Sequence, residues 1–485
     1  MIRATTATWL NYATTLVFQI LFAANFGSSG MAGAFVIAFA VAVSLGGLFV
    51  TTTLTNVLPR LVDKEGALSR PALRVLLILA GLIMITAFAL GLASSSLAAI
   101  VAPLIGVTSG LMGFLFVIAA VFLATLGLSG VLGSIALIRG RRFLPAIAPA
   151  LPSTLGALYL VGAGAPTVPA TFGAIALGGV FQVLLIAVAA LWPRPRVTAG
   201  GQLNVGRLAT LTALLLLLMG LLPPLQRIVA AAGDPTGAAQ FDYAARGMLV
   251  AQQILIGGLL IAVLPDWTTR HRQAMDIRPD VIAVSVLSTL LLFAAGSVAL
   301  VAAHPVVELI YERGAFSGND TDSVVLLTRI LVPGFVAEGL LAIITQAFLA
   351  SGRTDAVLRV WAIRTATLLV FTIGFGLRWG AVGVAAAYSL SMLATGGAAA
   401  IASANLGTLR GGSRLLLRSF QAGLVTATVA VVLMLAGDAV SPWLAALAVV
   451  LVALVGAFVF QLSGTVVATL KGGSHRVRDS YPEDA

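Results

Sequence analysis

Apolar residues in this chain fall into stretches of about twenty, separated by short clusters of glycine, proline and charge. A helix of about 20 apolar residues crosses a hydrocarbon core of roughly 30 Å. Fourteen stretches meet that length: 5–27, 31–56, 72–96, 111–138, 144–163, 168–192, 208–230, 239–264, 280–303, 323–350, 356–377, 380–404, 415–436 and 442–468. The segments between them read as turns: "GSSG", "GAGAP", "WPRPR", "AAGDPTG", "SGRTD" and "LGTLRGGSR". The pattern predicts an all-α polytopic membrane protein of about fourteen transmembrane helices.

Composition agrees with the pattern. The 485 residues are 60% hydrophobic and 9% charged, against about 45–50% and about 25% in a soluble domain. The N-terminal apolar stretch outruns the 7–15 residues of a signal-peptide core, so it is read as a first span that stays. The absence of cysteine excludes disulfide, thiolate and thiol-nucleophile chemistry. His271, His304 and His475 are too far apart in sequence to suggest a metal site. No cofactor and no metal are expected.

The net charge of +11 takes its meaning from its placement. Even-numbered connections hold Arg60, Lys64, Arg70 and Arg74; Arg139, Arg141 and Arg142; Arg194, Arg196 and Arg207; Arg270, Arg272 and Arg278; Arg353; and Arg410, Arg414 and Arg418. The tail adds Lys471, Arg476 and Arg478, while odd connections hold little beyond Arg313 and Arg378. This is the positive-inside distribution, and it puts both termini in the cytoplasm. The basic surface then faces the anionic leaflet, and nucleic acid is not implied.

The segment 135–164, "IALIRGRRFLPAIAPALPSTLGALYLVGAG", resembles 346–375, "QAFLASGRTDAVLRVWAIRTATLLVFTIGF". The offset is about 212 residues, or six spans. An even number of spans keeps both copies in the same orientation, so the repeat predicts two six-helix lobes related by an axis along the membrane normal. The expected division is 1–206, 207–408, two extra spans in 409–470, and a cytoplasmic tail 471–485.

Ionisable groups inside a span are functional candidates. None falls between Arg3 and Arg60, in 75–138, or in 143–193. The second half holds Asp242 and Arg246, spaced to share a helix face, with Arg227 across the seventh connection. It also holds Glu338 and Arg364. Glu338 follows Pro333, which reads as a break in its span. Both lie about 12–18 Å from their shared turn at 1.5 Å per residue, so the two are expected to meet. Arg329 lies a few turns above Glu338 on the opposite face. For Asp242, Arg246 and Arg227, anion binding and a snorkelling ion pair stay open. For Glu338 and Arg364 a structural pair is favoured. The Asp320-Thr321-Asp322 run matches the D-x-D of metal-dependent glycosyltransferases, but a helix cap by Asp320 or Asp322 explains it better, and no enzyme activity is read from it.

The stretch 304–359, "HPVVELIYERGAFSGNDTDSVVLLTRILVPGFVAEGLLAIITQAFLASGRTDAVLR", resembles the MurJ/MviN family of lipid II flippases at Gly314, Phe316, Ser317, Asp320 and Asp355. "FDYAARGMLVAQQILIGGLLIAVLPDWTTR" and "NFGSSGMAGAFVIAF" are similar to two further family segments. The resemblance implies the fold shared with drug antiporters and polysaccharide exporters. It implies transport of a polyprenyl-diphosphate-linked sugar by alternating access, with the last two spans forming a groove for the lipid tail. It places the protein in a bacterial plasma membrane, with lipid-linked glycan, bilayer and proteins of cell-wall synthesis as partners. It assigns Arg246 to substrate binding, and Asp242, Arg227, Arg364, Arg329 and Glu338 are carried beside it as candidates. By this reading the charges of 311–322 serve architecture: a short helix, a glycine turn and a helix cap.

The chain departs from the family in its first two spans, "NYATTLVFQILFAANFG" and "MAGAFVIAFAVAVSLGGLFVTT", where family arginines and an acid are absent. Its eleventh span, "VWAIRTATLLVFTIGF", lacks the acid and amide through which some members hold sodium. Two alternatives therefore stand beside lipid II transport: export of another lipid-linked glycan or small molecule, and a transport-inactive envelope scaffold.

Overall fold

The computed structural model describes residues 2–52, 68–138, 141, 143–191, 197–198, 207–257, 267, 270–271, 273, 275–405, 413–436 and 440–459. The expected tail, 471–485, lies outside the described residues.

The described residues are helical almost throughout. The first half comprises α1 (Ile2–Phe26), α2 (Gly30–Thr52), α3 (Arg70–Leu92), the short α4 (Ser94–Val101) with a 3-10 turn at Ala102–Ile105, and α5 (Ser109–Ile138). It continues with α6 (Phe143–Ile147), α7 (Ala150–Gly162) and α8 (Val168–Leu191). A two-residue parallel pairing, β1 (Leu68–Ser69) with β2 (Val197–Thr198), ties its second and sixth connections. The second half comprises α9 (Arg207–Ala230), α10 (Gly237–Gln252) ending in a π turn at Gln253–Gly257, α11 (Arg278–Tyr311) and α12 (Gly318–Ala350). It ends with α13 (Thr354–Asn405), α14 (Ser413–Leu435) and α15 (Pro442–Val459). Among the described residues eight helices are long and apolar enough to cross a membrane, and shorter apolar helices accompany them.

The 52 residues of α13 are two helices. Gly380 leaves helical geometry, at φ 56° and ψ −134°. On either side of it the chain meets itself: the Thr367 and Ser391 hydroxyls lie 2.7 Å apart, and Ser391 Oγ donates to Arg364 O. A straight helix would separate residues 24 apart by about 36 Å. The element is therefore an antiparallel hairpin, and it supplies the two predicted spans 356–377 and 380–404. Its bend is packed backbone on backbone, since a Cβ on Gly383 would lie 2.0 Å from Phe375 O. Gly383→Ala is expected to cost about 1–3 kcal/mol, the range for overpacking. Gly374→Ala, where a Cβ would meet nothing within 4 Å, should leave Tm unchanged. Thermal melts of the two purified variants in one detergent check this.

The internal repeat has a backbone signature. Arg141 N donates to Ala136 O and Arg353 N to Phe348 O, both at 2.9 Å. Donors and acceptors are each 212 residues apart, so the same five-residue closure ends α5 and α12. Gly352 takes the left-handed conformation (φ 70°) that this closure requires.

Two expectations about proline need correction. The resemblance implies a short helix of its own before the glycine turn, and Pro333 reads as a break, yet α11 runs through Pro305 to Tyr311 and α12 runs through Pro333. At Pro333 a neighbour mends the ladder: Ser389 Oγ accepts from Gly334 N and donates to Ile330 O. A membrane helix tolerates proline where another helix satisfies the freed backbone groups.

Contacts divide the chain into two compact units. The first is Met1–Tyr243, Ile310–Asp320 and Thr372–Val384. It contains the whole first half and, from the second half, α9, the start of α10 and the tips of connections nine and eleven. Here α5 packs on α2, α3, α4 and α8, while α9 packs on α2. Phe18, Phe22, Phe35, Phe39, Phe122 and Phe172 form one aromatic cluster, with linked ring centroids 4.4–6.1 Å apart. The second unit is Ala244–Leu309, Thr321–Phe371 and Ala385–Ala485. In it α14 packs on α15, and Val301 and Ala302 of α11 join their buried cluster.

Candidate functional site

Asp242 is almost wholly buried, and its partner is Arg227. Asp242 Oδ1 accepts from Arg227 Nε at 2.8 Å and from Nη2 at 2.5 Å, while Nη1 donates to Pro223 O at 2.9 Å. At least three of the five guanidinium donors are thus committed. The residue after Asp242 is also fixed, since the Tyr243 hydroxyl donates to Gly27 O at 2.7 Å. Arg246, one turn farther along α10, is half-buried. The helix that carries it then loosens into the π turn, a feature frequent at functional sites.

The second cluster lies in the other unit. Arg364 Nη2 donates to Glu338 Oε1 at 2.5 Å, the pairing expected from their depths. Tyr388 donates its hydroxyl to Glu338 Oε2. One carboxylate thus receives a donor from each arm of the α13 hairpin. The sequence reading missed Tyr388. The signal available was a tyrosine deep in an apolar span, whose buried hydroxyl must find an acceptor. Arg329 Nε donates to Leu300 O at 3.2 Å, so this guanidinium ties α12 to α11.

The charged stretch 311–322 has its own geometry. Ser317 caps α12: Asp320 N donates to Ser317 Oγ, and Asp320 Oδ2 accepts from Ser317 N at 2.9 Å. This is a reciprocal capping box, with serine as cap and aspartate as third residue. Asp322 points elsewhere, with its Oδ1 3.5 Å from His304 Nε2. A helix cap is present as expected, but Ser317 holds the capping position in place of Asp320 or Asp322, and Asp320 completes the box from the third position.

The candidates thus include two ion pairs, Arg227–Asp242 and Glu338–Arg364, and an arginine, Arg329, bound to a backbone carbonyl, with Arg246 one turn beyond Asp242 on α10. The two paired arginines are neutralised by carboxylates within their own units. Among the described residues no group of three or more His, Cys, Asp or Glu is placed to hold a metal ion.

Helices long and apolar enough to cross a membrane, with ion pairs among them, define the class of multi-pass helical membrane proteins. Within that class, the family model for the lipid II flippase MurJ matches residues 22–458, and the chain belongs to this family. Its fold is similar to a solved "Lipid II flippase MurJ, inward closed conformation", with a TM-score of 0.76 at 16% identity, covering 95% of this chain and 98% of that one. It is also similar to the MATE multidrug transporter DinF-BH, with a TM-score of 0.56 at 15% identity, covering 84% and 94%. A MOP superfamily transporter from Pyrococcus furiosus gives a TM-score of 0.52 at 16% identity, covering 86% and 95%. No curated protein sequence matches the chain.

Proposed function

We propose that the protein moves a polyprenyl-diphosphate-linked cell-wall precursor, lipid II, from the inner to the outer leaflet of a bacterial plasma membrane. The family match over residues 22–458 carries this reading. The transport cycle is alternating access of two six-helix lobes, 1–206 and 207–408. Residues 409–470 form the groove for the lipid tail, and both termini are cytoplasmic. A diphosphate needs cationic donors inside a wet cavity, and guanidinium forks suit it. Arg246 is the residue assigned to that contact. Arg329 is a second candidate donor, while Arg227, Asp242, Glu338 and Arg364 shape the helices around it.

The test is complementation. In cells depleted of the wild-type protein, Arg246→Ala is expected to leave lipid II on the inner face and reduce outer-face lipid II at least tenfold. Arg246→Lys should restore part of it, since lysine keeps the charge but loses the fork. Full complementation by Arg246→Ala would sink the assignment. A second reading, another lipid-linked cargo, is favoured by the absence of charge from the first-half spans. It predicts unchanged lipid II and a different prenyl-linked species trapped inside.

A further inference from the structure

Within the second unit, α11 and α12 meet along a seam whose polar groups lie at two levels. At the level nearer the ninth connection, His304 stands between two carboxylates. Its Nδ1 is 3.6 Å from Glu308 Oε2, and its Nε2 is 3.5 Å from Asp322 Oδ1. Both carboxylates are open, with 56% and 73% of their side-chain surface exposed. One helical turn deeper, Arg329 Nε donates to Leu300 O at 3.2 Å. That bond seats the guanidinium against α11. Among the described residues Arg329 has no ion pair and no other hydrogen bond.

Nη1 and Nη2 carry four of the five guanidinium donors, and none of these four is spent on the described residues. A cation in an apolar span is costly unless an anion meets it. Asp322, Leu326 and Arg329 are spaced to share one face of α12. Leu326 is half exposed, so this face is open surface. Leu300 and His304 are four residues apart, which puts the two levels about 6 Å from each other. The seam therefore offers one deep cation and two carboxylates a turn above it. A purely anionic group such as a diphosphate would meet those carboxylates without a counter-ion, and like charges repel. A group that carries a phosphate and its own ammonium matches both levels.

We propose that this seam binds an aminophospholipid of the bilayer, phosphatidylethanolamine. Its phosphate accepts from the Nη1 and Nη2 donors of Arg329, in charge-assisted bonds. Its primary ammonium donates to Asp322 and Glu308, having three N–H groups for the two carboxylates. The acyl chains leave past the exposed Leu326. Arg329, a candidate donor for cargo, is then held by a resident lipid instead. The assignment stands whatever cargo the chain moves.

The experiment is native mass spectrometry of the purified full-length protein, titrated in detergent with phosphatidylethanolamine, phosphatidylcholine or phosphatidylglycerol of identical acyl chains. Phosphatidylcholine keeps both charges but has no N–H to donate, and phosphatidylglycerol has no cation. For the first bound lipid, wild type is expected to prefer phosphatidylethanolamine about tenfold over either, the worth of one hydrogen bond to a charged group. Arg329→Gln should weaken that binding about tenfold. The double variant Asp322→Asn/Glu308→Gln changes two exposed side chains and leaves only the cation, so it should reverse the order and bind phosphatidylglycerol more tightly than phosphatidylethanolamine. It tests the site even if Arg329→Gln fails to fold. Equal wild-type affinity for the three lipids would overturn the proposal, as would an unchanged order in the double variant. Displacement of the bound phosphatidylethanolamine by equimolar farnesyl diphosphate would give Arg329 to the cargo and overturn it too. Binding is read without transport, so a protein that shows this preference but moves no lipid II refutes the transport reading alone.

Discussion

Glu338→Ala will destabilise the protein by about 3 kcal/mol, the low end of the range for leaving a buried charge without its partner. The substitution strands the Arg364 guanidinium between helices and removes the acceptor of the Tyr388 hydroxyl at the same time. The low end is appropriate because the two side chains keep 24% and 19% of their surface exposed. Arg364→Ala should cost a similar amount by stranding Glu338. The double variant Glu338→Leu/Arg364→Leu is the informative one, since a well-packed apolar pair of similar size often restores stability. Thermal melts of the three variants decide it. Two single variants that melt like wild type would show that water or lipid headgroups already satisfy both charges. A double variant no better than the singles would show that the hairpin needs this carboxylate for geometry as well as for charge.

Asp242→Asn is the second large expected effect, again about 3 kcal/mol. Asp242 is 2% exposed and accepts two of the donors of Arg227 on one oxygen. An amide in that place keeps the shape but not the charge. The double variant Arg227→Leu/Asp242→Leu should recover most of the loss in Tm. Its lipid II transport then separates two roles. Transport near wild type would make the pair a scaffold for α9 and α10. Transport lost in a stable double variant would place Arg227 or Asp242 in contact with cargo.

Much of this arrangement was legible in the sequence, because a bilayer imposes one length on every crossing element. The apolar runs at 356–377 and 380–404 appear as the two arms of the α13 hairpin. Equal depth below a shared turn was enough to pair Glu338 with Arg364. The 212-residue repeat was readable from Gly140 and Gly352 and recurs as one backbone closure. What stayed hidden needs the third dimension. Helix spacing put Asp242 and Arg246 on one face. It could not show that the chain folds back through 231–236 to bring Arg227 onto the same carboxylate. Proline reads locally as a break, and only the position of Ser389 on a neighbouring arm explains why α12 runs on through Pro333. Tyr388 looks like one more ring in an apolar stretch until Glu338 is beside it. At Gly27 a Cβ would lie 2.5 Å from Ala315 O, and at Gly314 it would lie 2.2 Å from Ala24 O; no local pattern announces this fit between loops almost three hundred residues apart.

The Glu338–Arg364 pair also bears on how the chain enters the membrane. Both residues flank one short turn, Ser351–Arg353, so they belong to consecutive helices that leave the ribosome together. Each charge alone resists partition into hydrocarbon. Released as one helical pair, α12 and the first arm of α13 can neutralise both charges before either meets lipid. Arg364 thus has its partner, Glu338, already made 26 residues before it when it leaves the ribosome.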